Sequence, residues 1–149
     1  MVFEALQFIS VAVIGLLIGS LLTEAMVLVP YWRKMKPQEF LSLHGAMGPS
    51  LYRYFAPLTV AGTIIPMITG IYSLALTPSS LSLSASVAVL TGLMLGIYFI
   101  YFKAANESFE TGSVGVEGIP DELRRWAAWH WLRVVIGLIA FVLSIAALK

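Results

Sequence analysis

The chain contains no cysteine. Disulfides, thiolate metal sites and cysteine nucleophiles are therefore excluded together, and nothing in the sequence reports the redox compartment. Charge is scarce as well. Lys, Arg, Asp and Glu make up 11% of the 149 residues, against roughly a quarter in soluble domains. Neither sign dominates, because nine basic and eight acidic residues leave a formal net charge of +1, so no nucleic-acid partner is indicated. An HExxH pair, a glycine-rich phosphate loop and a serine nucleophile elbow are also missing from the sequence, which removes the chemistry each of them supports. What fills the chain instead is apolar: 59% hydrophobic residues and a mean hydropathy of +0.90. A protein of this composition belongs in a lipid bilayer.

Four apolar segments, at about residues 5–29, 54–76, 83–102 and 126–148, each reach the roughly 20 residues a helix needs to cross the hydrocarbon. Lipid offers no partner to a bare amide, so an open chain crosses it as helix. The expectation is an all-α, polytopic four-helix membrane bundle forming a single transmembrane domain over residues 1–149. The first segment has no basic start and no small-residue cleavage pattern before Pro30, and so reads as a span rather than a signal peptide. Four crossings place both termini and the Thr77–Ser82 turn on one face, X, and the two longer connections on the other, Y. Arg33, Lys34, Lys36, Arg53, Lys103, Arg124 and Arg125 fall at Y, and only Lys149 at X. Basic residues concentrate on the cytoplasmic side, so both termini are expected outside, in the plasma membrane of a prokaryote.

The first Y-side connection contains "PQEFLSLHGAM", with Phe40, Leu43 and Met47 on one face, followed by Gly48-Pro49. This pattern predicts a short interfacial helix between spans one and two, ended by the Gly-Pro pair. The second connection carries three glycines and a proline between 106 and 125, which suggests a flexible lid. Gly15/Gly19 and Gly92/Gly96 are spaced for close helix approach, within the bundle more readily than at a homodimer face. Gly62, Pro66 and Gly70 recur every four residues in span two, and Pro66 is expected to bend it.

Residues that are expensive in lipid gather at the Y end: Glu24, His44, Arg53, Asn106, Glu107, His130 and Arg133. An ionisable side chain within a span marks a candidate functional site. Trp126, His130 and Arg133 fall on one helical stripe at i, i+4 and i+7, and burying that stripe calls for a nearby acid, Glu24 or Glu107. His44 and His130 are the only histidines, and neutral imidazole is both a common metal ligand and a proton carrier near neutral pH. With Glu24 they offer three ligands for a single transition metal, or the two histidines offer axial ligation to haem. A cofactor-free site satisfies the same residues. Arg53 and Arg133 suit a carboxylate or phenolate, while Tyr98, Tyr101 and Trp131 suit the wall of a pocket for a flat lipophilic molecule. Each residue also has a plainer role. Glu24 can pair with a loop arginine, tryptophans populate interfacial belts, and aromatics pack bundles.

The four-span layout, His44 after span one, Asn106 closing span three, and "WAAWHWLR" opening span four together resemble the anthrone-oxygenase-like group of small integral membrane proteins. The matching positions are His44, Asn106, Trp129, His130, Trp131 and Arg133. In "KAANES" this chain departs from the family's proline-bearing approach to the asparagine. The resemblance implies an oxidoreductase that oxidises a phenolic polycyclic substrate with dioxygen. The residues themselves suggest His130 or His44 to ionise such a substrate, Arg133 or Arg53 to hold the phenolate, and dioxygen or a metal to take the electrons. The competing expectation is a haem- or lipid-binding bundle without turnover.

Overall fold

The computed structural model describes residues 1–76 and 81–148, with side chains from residue 83 onward in the second stretch. The predicted Thr77–Ser82 turn and the placement of Lys149 fall outside the described side chains. Six α-helices follow in order: α1 (Val2–Thr23), α2 (Val29–Trp32), α3 (Pro37–Leu76), α4 (Leu81–Ile97), α5 (Lys103–Thr111) and α6 (Ile119–Ala146). π-helical turns at Glu24–Leu28 and Tyr98–Phe102 join α1 to α2 and α4 to α5 without a break. The result is four long apolar helices: Val2–Trp32, Pro37–Leu76, Leu83–Thr111 and Val116–Ala146. α1 and α4 each pack against both α3 and α6, which closes a four-helix bundle.

The helices are longer than the apolar runs. At 40 residues, α3 is about 60 Å long, roughly twice the hydrocarbon thickness. The short interfacial helix is therefore corrected: residues 37–47 are the opening turns of α3, and Gly48-Pro49 does not end it. Pro49, Pro57 and Pro66 all lie inside α3. A proline costs one backbone hydrogen bond and presses its ring on the carbonyl four residues earlier. Gly45 and Gly62 occupy that place before Pro49 and Pro66, where backbone without a Cβ can yield. The expected lid is corrected likewise. Helix continues through Thr111, Gly112 caps it at φ 72°, and a 3-10 turn at Val116–Gly118 leads into α6. The open connection is only a few residues long.

Three layers fill the interior. At the X end, Gln7 Nε2 donates to the Ala147 carbonyl, and the Ser10 and Thr69 hydroxyls bond to each other at 2.9 Å. The central layer is apolar, with Ile14, Leu17, Ile18, Met94 and Val134 almost fully buried. The Y-side layer is aromatic, built on Trp32, Phe40, Phe102, Phe109 and Trp126. Close helix approach occurs at Gly15, Gly62 and Gly70, where the spacing suggested it, and also at Gly137, where it did not. A Cβ on Gly137 would run into Ile18 Cδ1, and one on Gly62 would stand 3.0 Å from Leu17 Cδ2. Gly15 comes equally close to Phe141, whereas Gly19, Gly92 and Gly96 have open space where a Cβ would go.

Candidate functional site

The α6 stripe faces inward. Trp126, His130, Arg133, Gly137, Ala140 and Ser144 are all buried, each three or four residues from the next, as one face of a helix requires. His130 is 1% exposed and Arg133 6%. Opposite them, the π-turn after α1 carries Glu24, itself 7% exposed. In that turn the backbone ladder lengthens to five residues, with Val29 N–H donating to the Glu24 carbonyl. Such turns interrupt the regular four-residue pairing and recur at functional positions.

His130 Nε2 lies 2.9 Å from the Leu21 carbonyl oxygen and 3.7 Å from Glu24 Oε2. A carbonyl only accepts, so Nε2 carries the hydrogen in the neutral ring, and Nδ1 is left with its lone pair. Nδ1 has no hydrogen-bond partner. The imidazole stacks on Trp126, with centroids 4.8 Å apart and planes at 17°, and Phe102 meets it edge-on at 6.3 Å. The Arg133 guanidinium carbon sits 4.9 Å above the Phe102 ring, a cation–π contact inside the bundle. Glu24 and Tyr98 both interact with the guanidinium electrostatically. A buried arginine calls for a nearby acid, and Glu24 is the acid on this side of the bundle, although among the described residues its ion contact is with His130.

Asn106 and His44 reach this cluster through tryptophan rather than by contact. Asn106 Oδ1 accepts from Trp126 Nε1 at 2.9 Å, so the amide holds the ring that stacks on His130. His44 sits among Phe40, Phe109 and Trp32, at 5.5, 5.4 and 6.3 Å between centroids. Trp32 meets Trp126 edge-on at 6.0 Å, linking the two histidines through two indoles. His44 Nδ1 is buried without a hydrogen-bond partner.

The other expected residues stand apart. Arg53 is exposed, its Nε donating to the Pro49 carbonyl at 3.3 Å. Tyr101 donates to Glu122 Oε1 at 2.6 Å and stacks on Trp129 at 5.4 Å, a packing role at the α6 start. Trp131 is 44% exposed on the far side of α6. Among the described residues no group of three or more histidine, aspartate and glutamate side chains could hold a metal ion. The three-ligand set of His44, His130 and Glu24 is thereby corrected: Glu24 meets His130, while His44 stays in its own aromatic box.

Several participants escaped sequence reasoning. Leu21 acts through its carbonyl, which no side-chain pattern reveals. Phe102 and Trp32 read as ordinary core aromatics. The X-side hydroxyls of Ser10, Thr69, Ser84 and Ser144 are buried as well; their spacing along each helix was the available signal. Four buried side-chain nitrogen or oxygen atoms lack a hydrogen-bond partner among the described residues: His44 Nδ1, His130 Nδ1, Arg133 Nε and Ser84 Oγ. Three belong to the Y-side layer. Buried polar atoms are nearly always satisfied, so this concentration marks the place where an additional group is expected. Comparison of the chain with family models, with curated proteins and with solved structures gives no match.

Proposed function

We propose that the protein is an integral membrane protein that binds a lipophilic aromatic molecule bearing an ionisable hydroxyl, and takes up that proton at its Y-side cluster. The observation that carries this reading is the pair of partnerless nitrogens, His130 Nδ1 and Arg133 Nε, buried between aromatic rings. Nδ1 has the lone pair to accept a phenolic proton. Arg133 then neutralises the phenolate, and the aromatic surroundings suit the flat body of the ligand. Glu24, 3.7 Å from Nε2, stabilises the imidazolium so formed. Y is the cytoplasmic face in this reading, with both termini outside.

A fluorescent phenol such as 2-naphthol, whose neutral and ionised forms absorb and emit differently, tests the proposal in detergent-purified protein. Bound probe is expected in its ionised form. His130→Gln abolishes the ionised signal, Arg133→Gln weakens it, and Arg53→Gln leaves it unchanged. A probe that binds only as the neutral phenol, or ionises equally well in His130→Gln, overturns the proposal. Oxidation of a phenolic polycycle by dioxygen, which the family resemblance implies, is the narrower form: ionisation is its first step, and oxygen uptake with anthrone is its readout. Ionised binding without oxygen uptake selects a binding protein. No step is routed through a metal, because the donor set does not converge; a Soret band on the purified protein would instead identify haem as the ligand.

A further inference from the structure

Outside the buried cluster, the seam between the end of the first long helix and α6 opens outward as a hollow of about 580 Å3. Its floor includes Ala25 and Ala127, and its rim includes Arg33, Lys34, Arg124 and Trp131. Small side chains on both helices keep the seam from closing. No aspartate or glutamate lines it. Arg33 and Lys34 form no ion pair among the described residues, whereas Arg124 Nη2 bonds to Asp121 Oδ1 at 2.9 Å with both side chains exposed. Such an exposed pair is weak and readily exchanged. Trp131, 44% exposed, has the amphipathic ring that settles at headgroup depth. Beyond the rim, Met26, Val27, Leu132 and Val135 are exposed along the same two helices, an apolar surface continuous with the hydrocarbon.

We propose that this hollow seats the phosphate headgroup of an anionic phospholipid of the Y-face leaflet, with its acyl chains lying along the α1–α6 seam. The charge pattern selects this occupant. Arg33 and Lys34, unpaired among the described residues, converge on one concavity with Arg124, whose exposed pair with Asp121 is readily exchanged, so a headgroup with net negative charge is held, and one carrying its own ammonium gains little. Orientation in the membrane needs basic residues on one face, but not their convergence around a tryptophan-edged hollow. The proposal does not depend on proton transfer at His130.

Tryptophan fluorescence in phosphatidylcholine vesicles tests it. Small fractions of brominated phosphatidylglycerol or brominated phosphatidylcholine act as quenchers. Half-maximal quenching is expected at roughly tenfold less brominated phosphatidylglycerol, given the affinity gained per cation at a membrane surface. Trp131→Phe removes most of that difference, because Trp32 and Trp126 are buried and Trp129, stacked on Tyr101, does not line the hollow. The Arg33→Gln/Lys34→Gln pair shifts phosphatidylglycerol quenching toward that of phosphatidylcholine, and Arg124→Gln shifts it less. Lys103→Gln, outside the hollow, leaves it unchanged. All of these side chains are exposed, and circular dichroism confirms that the variants remain helical. Equal quenching by the two lipids, full preference in the double variant, or loss of the preference in excess inorganic phosphate would each overturn the proposal, the last by showing that the hollow takes a free anion.

Discussion

At the scale of single residues, the Y-side cluster is governed by the rule that a buried charge survives only with a partner. Arg133 and Glu24 are 6% and 7% exposed and opposite in sign at the same end of the bundle, both beside His130, so removing one is expected to leave the other less compensated. Glu24→Leu and Arg133→Leu are each expected to destabilise the bundle by about 3–5 kcal/mol, with the double substitution recovering much of the loss. Thermal unfolding of the three variants in detergent checks this; additive losses would show that the two groups do not couple. Gly137 poses a steric question instead. A Cβ there meets Ile18 Cδ1, whereas one at Gly92 meets nothing within 4 Å. Gly137→Ala should cost about 1–3 kcal/mol through overpacking, and Gly92→Ala should be neutral or mildly stabilising, as helical Gly→Ala changes are when space allows.

Among elements, α3 departs furthest from expectation. Gly48-Pro49 has the composition of a helix stop, and in water it usually acts as one. Here the surrounding sequence outweighs it: Phe40 and His44 pack with Trp32 and Phe109 on one side of the pair, and the apolar span follows on the other. Breaking the helix at Pro49 would uncouple the two. Because the helix is continuous, Pro49→Ala should restore a backbone bond to the Gly45 carbonyl and raise stability by about 1 kcal/mol. A fall in the melting temperature would indicate instead that the proline's geometry is needed. The two π-helical turns matter for the same reason. They carry Glu24 and Phe102, the residues that meet His130 and Arg133, at the points where regular helix spacing is interrupted.

For the whole molecule, the decisive property is orientation. The proposed orientation puts the segments at 30–53 and 103–125 in the cytoplasm, on the strength of their basic residues. Ser113 is exposed in the turn before α6, and Val2 is 61% exposed at the opposite end. Single cysteines at these two positions should react from opposite sides of intact cells, Val2→Cys from outside and Ser113→Cys only after permeabilisation. Reaction of both from outside would break the four-span arrangement. The interior is also ordered along the membrane normal: hydroxyls at X, aliphatic side chains in the centre and aromatic and ionisable groups at Y.

Apolar run length by itself determined four spans, because the hydrocarbon admits little else. Helical periodicity then determined that Trp126, His130 and Arg133 share a stripe, and the cost of exposing an arginine to lipid determined that the stripe turns inward. Those are local properties, legible from spacing alone. That burying Arg133 needs an acid, Glu24 or Glu107, was legible too, but which of the two was not, since that depends on which helix faces α6. Only the tertiary structure decided that His130 Nε2 is held by the Leu21 carbonyl, that His44 is joined to the cluster through Trp32 and Trp126, and that Arg53 takes no part. It also decided that the close approach occurs at Gly137 rather than Gly92 or Gly96. Each of these outcomes depends on helix rotation and on backbone groups from distant segments. Neither is written in the spacing of side chains along one helix.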